Sequence, residues 1–158
     1  MNVTINWKKQ KQNYLIEKNN KENLDHTADI QLHSWGDTLL EAFEQVCIAM
    51  FGYMYELEDV QLLKHHTVEV SGHDMSSLLF NFLNEFLGLH FEEDYFIFKD
   101  VEIILFDPKG FSLKAIGYGE KFDRDKHGTG TEVKAITYSA MQIKEEKTKC
   151  EVWVVVDI

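Results

Sequence analysis

Proline occurs once, at Pro108, in a chain of 158 residues. So little proline, beside 44% hydrophobic and 13% aromatic residues, excludes a fibrous or disordered chain and predicts one compact globule. Cysteine is almost as scarce. Cys47 and Cys150 stand far apart without Cys-x-x-Cys spacing, which leaves no structural zinc signature and reads as two reduced core thiols. No apolar run approaches the ~20 residues that span a bilayer, and Met1 to Glu22 has no hydrophobic signal core. A soluble, intracellular protein is expected, cytoplasmic or, in a eukaryote, nuclear. Basic residues are outnumbered, 16 Lys and Arg against 27 Asp and Glu, for a net charge of -11. Phosphate binding draws its free energy from clustered Lys and Arg, so direct nucleic-acid binding is not expected. If the protein serves RNA, a partner touches the RNA.

Several catalytic signatures are missing too. There is no Gly-x-Ser-x-Gly elbow, and Ser71-Gly72-His73-Asp74 crowds its three roles too closely to form a relay. The glycine-rich run Gly117-Tyr118-Gly119 with Gly128-Thr129-Gly130 could cradle a phosphate on main-chain amides, yet it is neither a P-loop nor a dinucleotide fingerprint.

What is present has clear periodicity. Thr38 and Glu41 have capping-box spacing ahead of apolar residues at Leu39, Phe43, Val46, Cys47 and Met50, predicting a helix that ends near Gly52. Asp74 opens a second helical pattern through Leu78, Leu79, Phe82, Leu83 and Phe86, ending near Gly88. Period-two segments at Asp29–His33, Thr67–Val70, Val101–Phe106, Phe111–Ala115, Val133–Ile143 and Glu151–Val156 read as strands. Short turns such as Asp107-Pro108-Lys109-Gly110 make the sheet mainly antiparallel. The fold class expected is α+β, with two amphipathic helices packed on that sheet. Residues 1–23 read as a mobile, locally basic extension in which Trp7, Tyr14, Leu15 and Ile16 leave room for a docked strand or short helix; residues 24–158 form the domain.

The chain ends Val155-Val156-Asp157-Ile158, which sets the Asp157 side chain one residue from the Ile158 α-carboxylate. Two anions so close call for a cation, whereas an ordinary terminus would be frayed and solvated. A second acidic cluster lies at Asp25-His26-Thr27-Ala28-Asp29, and spacing alone does not bring it to Asp157. Oxygen ligands of this kind suit hard divalent cations: calcium is the first expectation, with magnesium and manganese as alternatives.

Three blocks together resemble the archease family: Leu24-Asp25-His26-Thr27-Ala28-Asp29-Ile30 with Trp35-Gly36-Asp37-Thr38-Leu39 and Ala49-Met50-Phe51-Gly52-Tyr53-Met54; Ser77-Leu78-Leu79-Phe80-Asn81-Phe82-Leu83; and Lys126-His127 with Gly130-Thr131-Glu132-Val133-Lys134-Ala135-Ile136-Thr137-Tyr138-Ser139-Ala140-Met141-Gln142-Ile143. The resemblance implies an accessory protein of the RtcB-type RNA ligase of tRNA splicing and RNA repair, one that stimulates guanylylation of the ligase with GTP and its multiple turnover without being an enzyme itself. It also implies a divalent metal at Asp29, Asp157 and Ile158, an activity-supporting Lys134, and no catalytic residue. Asp25 and His26 would support the metal ligands from behind. A stand-alone metal-dependent phosphohydrolase and a chaperone-like binding module are the competing readings.

Overall fold

Thr38 and Asp74 begin the two helices for the same physical reason. The first backbone N–H groups of a helix lack intrahelical acceptors, and a short oxygen-bearing side chain supplies one. The computed structural model describes residues 12–18 and 29–158. Within them, α1 runs Leu39–Met54, with Thr38 Oγ1 accepting from the Glu41 amide at 3.2 Å. The Glu41 carboxylate reaches back to the Asp37 amide, 2.9 Å away, one residue before the position a strict capping box would use. Helix α2 runs Met75–Glu92 behind a complete reciprocal box between Asp74 and Ser77. Thr38→Ala should lower stability by about 1 kcal/mol and Thr38→Ser by much less, read as the shift in the denaturant midpoint at constant slope.

Both helices outlast the glycines expected to end them. Gly52 sits inside α1, where an added Cβ would lie 2.9 Å from the Tyr14 hydroxyl, so it marks the close approach of a strand rather than a stop. Gly88 is likewise interior, and α2 ends one turn later, where Asp94 and Tyr95 take φ values of 54° and 59°.

Eight strands complete the described chain: β1 Tyr14–Lys18, β2 Asp29–Gly36, β3 Lys64–Ser71, β4 Phe96–Asp107, β5 Ser112–Lys121, β6 Ala135–Ile136, β7 Gln142–Glu145 and β8 Cys150–Asp157. All pairings are antiparallel. One sheet has the order β1-β2-β8-β6, with β7 on the same flank of β8 as β6; the other has the order β3-β5-β4. The α+β class with two helices on antiparallel sheet is therefore as expected. Part of the segment read as an extension is docked: Tyr14–Lys18 is an edge strand, with Tyr14 and Ile16 packed against the core and Leu15 turned outward.

One loop expectation and one strand expectation need correction. Gly117 and Gly119 belong to β5 and form no phosphate cradle: an added Cβ at Gly117 would meet the Phe98 ring at 2.4 Å, and one at Gly119 would meet the Ile97 carbonyl at 1.7 Å. These glycines let β4 and the core rings close on β5. The single strand expected over Val133–Ile143 is broken into β6 and β7, because the chain turns at Tyr138, whose carbonyl accepts from the Met141 amide, with Ala140 at φ 50°.

Helix α1 lies between the sheets, touching β1, β2 and β8 on one side and β4 on the other, while α2 covers β3 and β4 and reaches β6. Phe43, Phe51, Phe82, Phe86, Phe96 and Phe98 are fully buried where these layers meet. Cys47 and Cys150 are free and buried, in keeping with inert core thiols. Strand β4 has bulges near Lys99 and Ile104, and its Ile103 amide donates to Glu44 Oε2 of α1 at 2.8 Å. Among the described residues no helix is long and apolar enough to cross a membrane.

Candidate metal-binding tip

The register of β2 on β8 decides the site. Ile30, Leu32 and Ser34 pair with Val156, Val154 and Val152 on the buried face, so the alternate residues, Asp29 among them, lie on the outer face. Asp29 is directly opposite Asp157. Directly opposed residues of an antiparallel pair point the same way with Cβ atoms about 5 Å apart. Burial of the apolar partners thus fixes the pairing of the acids, because a slip of one residue would turn Ile30 and Leu32 outward.

The other flank of Asp157 is occupied by β6. Ala135 pairs with Asp157, and the Lys134 amide donates to the Asp157 carbonyl at 2.8 Å. Lys134 is exposed, placing an ammonium-bearing side chain at the same sheet end as the two acids. Strand β8 continues through Asp157, and the Ile158 side chain packs, half-buried, against the core. That anchoring overturns the alternative of a frayed terminus, and the α-carboxylate is carried on a seated residue.

Four of the expected site residues, Asp29, Lys134, Asp157 and Ile158, are therefore assembled at one end of the first sheet. Asp25 and His26 lie outside the described residues. Among the described residues no group of three or more His, Cys, Asp or Glu side chains is arranged to hold a metal ion. The expected donor set would consist of the Asp29 and Asp157 carboxylates with the Ile158 α-carboxylate as the third oxygen group. It is all oxygen and anionic, which fits calcium, magnesium or manganese and does not resemble the nitrogen and sulfur sets of zinc. Two carboxylates on opposed residues at a solvent-facing strand end repel weakly through water, and a bound cation would reverse that repulsion.

The chain that delivers Lys134 to this tip is a strap, residues 123–134, whose role no local sequence pattern announces. It crosses the end of α1 through the Glu56 amide to the Gly128 carbonyl, 3.0 Å, and the Gly130 amide to the Met54 carbonyl, 2.7 Å. Gly130 is required here, since an added Cβ would stand 2.3 Å from the Tyr53 carbonyl. Val133, fully buried, pins the strap just before Lys134. Beneath it, His90 donates from Nδ1 to the Phe96 carbonyl at 2.8 Å, which leaves Nε2 to accept from the Tyr55 hydroxyl at 3.3 Å. Burial holds the His90 pKa below its usual value and raises that of Tyr55 to about 12, so both groups are neutral structural partners near neutral pH.

Comparison with known proteins agrees with this architecture. The model of the Archease protein family (MTH1598/TM1083) matches residues 22–158, a span that includes every candidate tip residue. An archease-like protein of Dictyostelium discoideum is 53% identical over 142 residues, covering 88% of this chain and 93% of its own length. An archease of Pyrococcus abyssi is 46% identical over 125 residues, covering 78% of this chain and 87% of its own length. The solution structure of Methanobacterium thermoautotrophicum protein 1598 superposes with a TM-score of 0.71 at 27% identity, over 94% of this chain and 100% of that one. A Thermotoga maritima archease, described as a possible chaperone, shares the fold at a TM-score of 0.56 and 19% identity, over 87% of this chain and 97% of its own. On the family match and on this identity over most of its length, the chain belongs to the archease family.

Proposed function

We propose that this protein is a non-catalytic accessory factor of an RtcB-type RNA ligase, stimulating guanylylation of the ligase with GTP and its return to further cycles through a divalent cation held at Asp29, Asp157 and the Ile158 carboxylate. The observation that carries the reading is the register that sets Asp29 against Asp157 beside the chain end. Calcium is the first ion to test, with magnesium and manganese as alternatives, since a donor set of hard oxygens suits all three. When bound, such an ion supplies positive charge for phosphate oxygens or for an ordered carboxylate of the partner.

The protein's own residues have distinct tasks. The opposed carboxylates hold the ion on a rigid pair of strands, and Ile158 anchors the terminal carboxylate by burying its side chain. Lys134, fixed through its amide to Asp157, presents a cation beside these anions, so the tip offers both signs of charge to a phosphate-binding cleft. A net charge of -11 suits contact with a basic protein surface rather than with RNA. The description of the Thermotoga maritima archease as a possible chaperone is in keeping with action on another protein.

The deciding experiment measures formation of the ligase–GMP adduct by the cognate ligase with and without this protein, over a series of calcium, magnesium and manganese concentrations. Stimulation of the initial rate by about 10-fold or more at substoichiometric protein is expected, corresponding to about 1.4 kcal/mol of barrier. Identical progress curves with and without the protein under every ion condition would remove the accessory reading.

A further inference from the structure

The strap is rooted in a cluster remote in sequence from the metal-binding tip. Glu120, at the end of β5, is only 8% exposed. Its carboxylate accepts from Lys126 Nζ at 2.8 Å on one oxygen and 2.9 Å on the other, and from the Gln61 amide. Lys126 also donates to the Gln61 side-chain oxygen at 2.9 Å. The next residue, His127, has no exposed side-chain surface, and its Nε2 lies 3.6 Å from Glu120 Oε1 without a hydrogen-bond partner among the described residues. His127 Nδ1 accepts from the Asp123 amide at 2.9 Å, so the neutral ring carries its proton on Nε2, directed at Glu120. That tautomer makes the ring a donor and removes it as a metal ligand. Burial pushes the Glu120 carboxyl up, but Lys126, the Gln61 amide and His127 outweigh it and hold the group below its usual range.

We propose that Glu120 is a positioning residue for the metal-binding tip: by gripping Lys126 and seating His127 it fixes the root of the strap whose far end holds Lys134 on the Asp157 carbonyl. The inference rests on the accessory-factor reading for its activity consequence, and on geometry alone for its structural one. Beyond the root, the strap is tied by neutral main-chain bonds at Gly128 and Gly130 and by the Val133 side chain. The root is where a buried charge depends on residues of the strap itself. A buried carboxylate whose cation is removed must be resolvated or protonated, and the loop that supplied the cation opens to allow it.

The test compares Glu120→Gln, Lys126→Met and Lys126→Arg by amide hydrogen exchange in the full chain, together with ligase stimulation. In Glu120→Gln and Lys126→Met, protection of the Lys134 amide should fall about 10-fold while the Leu32 and Val152 amides of the central strands keep theirs. Lys126→Arg, which retains the charge, should restore Lys134 protection. Stimulation should fall in parallel and recover with Lys126→Arg. Unchanged protection at Lys134, or an equal fall at Lys134, Leu32 and Val152, overturns the proposal, the second result meaning general loss of stability. Should Glu120→Gln fail to fold, the two Lys126 variants decide alone. A wild-type protein without stimulatory activity would sink the accessory reading, while the exchange result would still decide whether Glu120 positions the strap.

Discussion

One glycine added after Ile158 is expected to weaken divalent-cation binding by about 10- to 100-fold, measured by calorimetry on the isolated protein, with ligase stimulation falling alongside. The extension turns the Ile158 carboxylate into a neutral amide and moves the terminal charge outward by one residue, about 3.3 Å. The Ile158 side chain can remain packed on the core, so the melting temperature should hardly change. Asp157→Asn provides a second measurement of opposite sign in the ion-free protein. Removing one of two opposed carboxylates relieves a weak, solvent-screened repulsion, so the variant should be at least as stable without ions and bind them worse. If Asp157→Asn instead destabilised the ion-free fold and left affinity intact, the carboxylates would be structural groups and the metal assignment would fail.

A comparably large effect is expected from Glu44→Gln, on stability rather than binding. Burial lifts the Glu44 carboxyl from 4.5 to about 7, with Asp100, Glu102 and Glu41 adding to the rise and the Ile103 amide opposing it. Between those two pH values the folded state holds a proton that the unfolded chain has released, so this group's contribution to stability falls as pH rises from 4.5 to 7. A shift of this size corresponds to about 3 kcal/mol, which partial solvent exposure reduces to about 2. Glutamine keeps an oxygen to accept from Ile103 without the charge. Glu44→Gln should therefore stabilise the protein by about 2 kcal/mol at pH 8 and by little at pH 4.5, read from denaturant midpoints. His90 acts in the other direction: its lowered pKa removes stability as pH falls below the unfolded value near 6.5, in wild type and variant alike. The difference between the two proteins thus isolates Glu44. An increment independent of pH would mean that the Glu44 carboxyl is as well solvated in the fold as in the unfolded chain and binds its proton equally in both.

The helices were readable because capping and 3.6-residue periodicity are local properties, and Thr38 and Asp74 act where expected. Their ends were less readable. A glycine that stops a helix and one that admits a neighbouring strand are the same residue, and Gly52 proved to be the second kind through Tyr14. The same ambiguity made β5 look like a loop at Gly117 and Gly119 until the core rings and the β4 backbone were seen against them. Glu120 carried no local signal at all, since its partners Gln61 and Lys126 belong to a loop and a strap brought together by the fold.

The sequence by itself determined the side-chain chemistry available to the tip: carboxylates at Asp29 and Asp157, and a lysine at position 134. These are properties of residue type. Tertiary structure alone decided that they share one place. Burial of Ile30, Leu32, Val154 and Val156 sets the register of β2 on β8, and that register stands Asp29 opposite Asp157. Pairing of strands from opposite ends of the domain is a long-range consequence of which faces exclude water, and spacing along the chain holds no record of it.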